Sequence, residues 1–249
     1  MSPASGPLPV PSRALAVGAH PDDIEFGAGA TLAGWAEAGC EVSLYVCTDG
    51  SKGTWDPDAD VAALVATRQA EARAAARALG ATGEVVFGGS VDGELENSVA
   101  ARASLVAAIR RLRPDVLLGH DPWKRYRLHP DHRAAGFLTC DALVAARDPH
   151  FFRDVGLEHH RPSALLLFEA DEPDHAEPVT EAGLVAKLAA LESHTSQFES
   201  TMFISSDDPA AGAAERARFR AEVRSGVEEA GEWADVALAE RFRFMPTDR

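Results

Sequence analysis

Apolar runs too short to be helices punctuate this chain. Each is followed by a polar turn and then by a longer stretch with helical spacing. The runs are residues 14–18 (ALAVG), 41–47 (EVSLYVC), 84–87 (EVVF), 115–119 (DVLLG) and 163–168 (SALLLF). Ala-rich segments lie between or after them, at about 27–38, 61–79, 98–112, 133–146 and 181–193. Short apolar runs bounded by turn signals read as strands; longer stretches with apolar residues three and four apart read as helices. Gly39 and Gly80 stand where the first two helices should stop, and Ser98 where the third should be capped. A parallel pair of strands needs a long crossover, and the crossover helices cover the sheet. The alternation therefore predicts an α/β class, with a mostly parallel central sheet and helices on both faces.

The 249 residues suit one domain spanning 1–249, with the proline-bearing stretch 1–12 as a loose lead-in. No internal repeat divides them. Residues 209–249 read as helical and charged, suited to an extra packed helix or to contacts in a homo-oligomer. A formal charge of −15 would repel a polyphosphate, so nucleic acid is an unfavourable partner. Cys40, Cys47 and Cys140 form no paired motif; Cys47 falls in a strand and Cys140 in a helix, as small core residues. That usage points to a reducing cytoplasm. The N-terminal stretch lacks the basic and apolar regions of a signal peptide, and no run approaches a membrane span.

Open α/β sheets bind ligands beyond the carboxyl ends of their strands. The polar clusters of this chain fall there. His20-Pro21-Asp22-Asp23 follows the first run, Thr48-Asp49-Gly50 the second, Asp92 the third at a distance, and residues 120–132 the fourth. Adjacent carboxylates repel unless a positive group sits beside them. A divalent cation is such a group. Catalytic zinc takes three protein ligands and keeps one position for water. His20 and Asp23 bracket a strand-to-helix turn, and His132 of Leu128-His129-Pro130-Asp131-His132 opens another helix. Together they offer two imidazoles and a carboxylate. Asp22 is then free to act on water as a general base. His129, if protonated, could stabilise an oxyanion or protonate a leaving nitrogen. Glu25 reads as a first-turn carboxylate favouring the helix N-terminus.

These residues resemble a known family. AHPDD, then TDG, then RQAEA with AARALG, then HPDHRAAG, then HTSQ are similar to the PIG-L/LmbE-like zinc-dependent de-N-acetylases. The resemblance runs from Ala14 to about Gln197. It implies a Rossmann-like fold and hydrolysis of the N-acetyl group of an N-acetylglucosamine-type, small-molecule conjugate. It makes His20, Asp23 and His132 the ligands of Zn2+ (with Fe2+ as the other cation such a site takes), Asp22 the general base, and His129 the residue that steadies the transition state. It places Arg68 and Asp92 at substrate contacts and leaves His194 of HTSQ without a role. Where the commonest first motif continues with glutamate, this chain has Ile24 and then Glu25.

The loop 121–127 (DPWKRYR) is basic and aromatic in an acidic chain. It is expected to wall the substrate pocket, with Trp123 or Tyr126 stacking on a sugar and an arginine meeting an anionic group. Loop 51–58, with Trp55, would face it. The competing expectation is a sugar- or nucleotide-binding module in which the histidine clusters are structural. That reading calls for a glycine-rich phosphate loop after the first strand, where this chain puts two aspartates.

Overall fold

The computed structural model describes residues 6–205 and 209–247. One seven-stranded sheet organises them, in the order β3-β2-β1-β4-β5-β7-β6. The strands are β1 (Arg13–Gly18), β2 (Glu41–Thr48), β3 (Val85–Ser90), β4 (Val116–His120), β5 (Ala164–Phe168), β6 (His175–Pro178) and β7 (Ala239–Pro246). The helices are α1 (Asp23–Glu37), α2 (Val61–Ala78), α3 (Val99–Leu112), α4 (Pro130–Arg147), α5 (Glu181–Leu191) and α6 (Pro209–Ala234). β1 to β5 run parallel; β7 is antiparallel to both β5 and β6.

Strand side chains alternate between the two faces. Leu15 and Val17 of β1 pack on one side with Leu105 and Ile109 of α3 and Leu138 of α4. Ala14 and Ala16 pack on the other with Ile24, Leu32 and Trp35 of α1, and with Phe168 and Phe242. Burying each such large side chain contributes roughly 1.5–3 kcal/mol. Helix α1 lies so close to the end of β5 that a Cβ on Gly27 would sit 2.5 Å from the Phe168 ring. Only glycine allows that approach.

The sequence-based expectation of an all-helical C-terminal region is corrected here. Residues 239–246 form β7, between β5 and β6. The reason is a period of two: Phe242 is buried while its neighbours Arg241 and Arg243 are exposed, and Phe244 packs against the core with Phe242. β6 was not anticipated either, since its four residues, HAEP, carry too little apolar signal. Of the lead-in, residues 1–5 lie outside the described residues. Leu8 is held, its N–H donating to Glu177 at 2.9 Å. No helix among the described residues is long and apolar enough to cross a membrane.

Candidate metal centre and active site

The order β3-β2-β1-β4-β5 places the topological switch point between β1 and β4, where connections depart to opposite sides and leave a crevice. His20 to Asp23 leave β1 there, and residues 120–132 leave β4. The turn between β1 and α1 is tight. Asp22, the residue preceding α1, adopts φ 115°, ψ −28°, a left-handed conformation rare outside glycine. Such strain costs on the order of 1–3 kcal/mol and persists only where surroundings enforce it. Here it sets two adjacent aspartates, both lining one cleft of about 500 Å3.

His20, Asp23 and His132 converge in that cleft. His20 Nδ1 lies 3.2 Å from His132 Nε2 and 3.3 Å from Asp23 Oδ2; His132 Nε2 lies 3.3 Å from Asp23 Oδ1. Ligands about 2.0–2.1 Å from a tetrahedral ion stand about 3.3–3.4 Å from one another. The His20–His132 separation fits two ligands of one divalent cation, and each of those nitrogens has an Asp23 oxygen at 3.3 Å; one ligand atom each from His20, His129 and His132, or from Asp23, His120 and His132, also lie within 4.8 Å of one another. His120 also approaches Asp23, 3.2 Å from Oδ2, but it is walled off beside Phe168 and does not line the cleft.

Each converging group has a partner behind it. His20 Nε2 lies 3.2 Å from Asp131 Oδ2 and 3.2 Å from Asp92 Oδ1. A proton on that nitrogen is thereby favoured, so Nδ1 is the nitrogen whose own proton a cation in the cleft would displace. Asp131 is itself held by the N–H groups of Gly93 (2.6 Å) and Leu95 (3.2 Å). Arg127 Nη1 is 2.8 Å from His132 Nδ1. Burial alone would depress His20, but hydrogen bonds with Asp131, Asp23 and Asp92 outweigh it and lift the imidazole to about 12. Asp23 is held well below the usual carboxylate range: burial works against this, and the charges of His120 and His132 prevail.

Similarity to known proteins places the chain in a family. The family described as PIG-L, GlcNAc-PI de-N-acetylase, matches residues 15–143. The diacetylchitobiose deacetylase of Thermococcus kodakarensis is 34% identical over 191 residues, covering 75% of this chain and 70% of that protein. The chain belongs to the PIG-L family. A 1D-myo-inositol 2-acetamido-2-deoxy-alpha-D-glucopyranoside deacetylase of Streptomyces avermitilis is 35% identical over 169 residues, which cover 58% of this chain and 57% of that protein. Among solved structures, the N,N'-diacetylchitobiose deacetylase of Pyrococcus horikoshii, complexed with an inhibitor, is similar with a TM-score of 0.82 at 30% identity. That match covers 95% of this chain and 84% of the other.

In this PIG-L member, Asp22 is buried beside the three converging groups, at the lining of the cleft. Burial pushes its carboxyl up to about 6, with the Arg68 guanidinium opposing and Asp23 adding to the rise. Arg68 Nη2 is 3.6 Å from Asp22 Oδ2. Arg68 is 3% exposed, and its guanidinium also donates to the carbonyls of Gly50 (3.0 Å) and Pro21 (2.8 Å). It therefore clamps the turns after β1 and β2 as well as facing the cleft. His129 caps α4: its Nδ1 accepts from the N–H of Asp131 at 3.3 Å, which leaves the ring proton on Nε2. Burial and the charges of His20 and His132 lower its pKa, which favours the neutral ring. Pro130 occupies the first helical position, where its missing N–H costs nothing.

The aromatic wall is a second correction. Trp123 packs edge-on against Phe137 and lines a neighbouring groove with Asp121 and Asp171; Tyr126 is 94% exposed, and neither lines the cleft. Arg127 turns inward onto Glu169 instead, which leaves its neighbours facing out. Trp55 does line the cleft, with Lys52 and Thr54. The HTSQ segment anchors that wall. Glu71 accepts from Thr195 Oγ1 (2.8 Å), Ser196 N–H (2.8 Å) and Ser196 Oγ (2.6 Å), and Gln197 Nε2 donates to the carbonyl of Gly53 at 3.0 Å. His194 is fully buried, its Nε2 3.7 Å from Glu25 Oε2. Glu25 does stand in the first turn of α1, and it is buried there. Sequence reasoning missed His120, Asp131, Glu169 and Gln197; the first and third end parallel strands, which was the available signal.

Proposed function

We propose that this chain is a zinc-dependent hydrolase that removes the acetyl group from an N-acetylglucosamine-type unit of a small-molecule conjugate. The observation that carries the reading is the buried Asp22 carboxyl set beside the converging His20, Asp23 and His132. A binding module has no use for a strained, ionisable group there. The relatives named above support the substrate class. The phosphate-binding alternative fails on the same turn, because Asp22 and Asp23 occupy the helix N-terminus that a phosphate would need.

His20, Asp23 and His132 would hold the ion, which when bound supplies polarisation of the amide carbonyl and acidification of a water molecule. Asp22 accepts the proton that water loses as its oxygen bonds to the acetyl carbon. His129 Nε2–H donates toward the oxygen where negative charge develops. As the carbon–nitrogen bond breaks, Asp22 returns the proton to the sugar nitrogen, giving acetate and the free amine. A carboxyl raised to about 6 suits both transfers near neutral pH. Three free cysteines support a reducing, cytoplasmic setting.

The test is metal content by elemental mass spectrometry together with acetate release from N-acetylglucosamine conjugates. Wild type should carry about one zinc per chain and release acetate; His132→Ala should lose both. A wild type that stays folded and binds no zinc ends the hydrolase reading.

A further inference from the structure

Asp23 is held through Oδ2 by a line of groups that ends at Glu169, on the border of the same cleft. Its Oδ2 accepts the N–H of His20 at 2.7 Å and faces His120 Nε2 at 3.2 Å. Oδ2 also lies 3.3 Å from His20 Nδ1, and Oδ1 lies 3.3 Å from His132 Nε2. His120 is 1% exposed, and its other nitrogen, Nδ1, faces Glu169 Oε2 at 3.0 Å. That same oxygen receives two N–H groups of the Arg127 guanidinium, both at 2.8 Å. The His120 ring also stacks on His132, 4.5 Å between centroids at 17°. A carboxylate, an imidazole and a second carboxylate thus run in line from the cleft to the end of β5.

Glu169 stands where its backbone is unfavourable. It is a non-glycine residue at φ 58°, immediately after β5. A left-handed residue costs on the order of 1–3 kcal/mol and calls for a compensating role. The role visible here is the side chain's grip on His120 and Arg127. Outer partners of this kind orient the groups that touch a metal.

We propose that His120 and Glu169 are positioning residues. They fix the orientation of the Asp23 carboxylate between His20 and His132 and so set the affinity of the site for its divalent cation, with Arg127 pinning Glu169. The inference rests on the metal reading given above. Without this line, the Asp23 carboxylate is free to turn away from His20 and His132.

The experiment is zinc affinity by chelator competition, with the visible spectrum of the Co2+-loaded protein as the report of coordination. Wild type, Glu169→Gln, Glu169→Asp and His132→Ala are compared, each after thermal melting of the chelator-stripped protein. Glu169→Gln should weaken zinc by about 10–100-fold. It should also shift the cobalt bands, since a reoriented Asp23 carboxylate changes the coordination. Glu169→Asp should recover part of both, because it restores the charge at shorter reach. A wild type without zinc removes the metal reading and this proposal with it. A wild type that binds zinc, beside a Glu169→Gln protein with unchanged affinity and spectrum, overturns the proposal alone.

Discussion

Replacing Asp22 by Asn should stabilise the metal-stripped protein while it abolishes most turnover. The carboxyl sits at about 6 in the fold against 3.8 when unfolded, chiefly because burial disfavours its charge. For a group raised in the folded state, the sign is as follows. Below about pH 4 the carboxyl is protonated in both states, and ionisation adds no cost. Above about pH 6 it is ionised in both, and the fold carries the whole penalty. At about 1.4 kcal/mol per unit, the rise corresponds to roughly 3 kcal/mol. Asn keeps the shape and removes the charge. Urea unfolding of chelator-treated protein should therefore show Asp22→Asn more stable by roughly 2–3 kcal/mol near pH 7.5, with the gap shrinking to about 1 kcal/mol near pH 4.5. Acetate release should fall by about 10²–10⁴-fold, the usual worth of a general base. A variant whose stability gain is absent at neutral pH, or does not depend on pH, would show that Asp22 carries no such burden.

Two further substitutions probe the walls of the site. In Gly53→Ala, the new Cβ would lie 2.3 Å from Arg68 Nη1 and 2.8 Å from Gln197 Oε1; displacing Arg68 by even an ångström should cost roughly 10²-fold in turnover with zinc content unchanged, and steady-state kinetics beside elemental analysis separates the two. Lys187 donates to Glu240 at 2.6 Å and to the carbonyl of Phe26 at 2.7 Å, all deep between α1, α5 and β7. Lys187→Met leaves Glu240 buried without its cation and should lose about 3–5 kcal/mol in urea unfolding, against under 1 if the pair is only ornamental.

The parallel half of the fold was legible because its signals are local. Each strand from β1 to β5 is an apolar run that ends in a turn, and the strand-end rule then gathered His20, Asp23 and His132 on one rim. β7 was not legible, because it follows a long charged helix and its two phenylalanines alternate with arginines, which reads as surface unless the sheet beside it is known. Glu169 and His120 were hidden for a different reason. Their significance lies in a contact 49 residues apart and in a positive φ, neither of which composition or spacing carries. Trp123 and Tyr126 differ in the opposite sense: an aromatic and basic loop suggested a sugar platform, but both rings stand outside the cleft, while Arg127 is drawn in by Glu169.

The adjacent aspartates pose a problem that the histidines solve. Asp22, Asp23, Asp92, Asp131 and Glu169 crowd one small region, and Arg68 and Arg127 offset only part of their charge. Burial would depress the imidazoles of His20 and His120, yet hydrogen bonds and charges from the surrounding carboxylates hold both pKa values up. In the metal-free protein these two rings therefore supply positive charge where it is needed, and the acidic pocket can fold before any ion arrives. A cation on His20 Nδ1 needs a lone pair there, so it exchanges for a proton instead of adding to one. Histidine is the side chain that allows both states, positive while the pocket assembles and neutral once the ion is in place. A cysteine or a further carboxylate at position 20 would leave the metal-free pocket with negative charge unopposed. On this argument the imidazoles are selected as much by folding as by coordination.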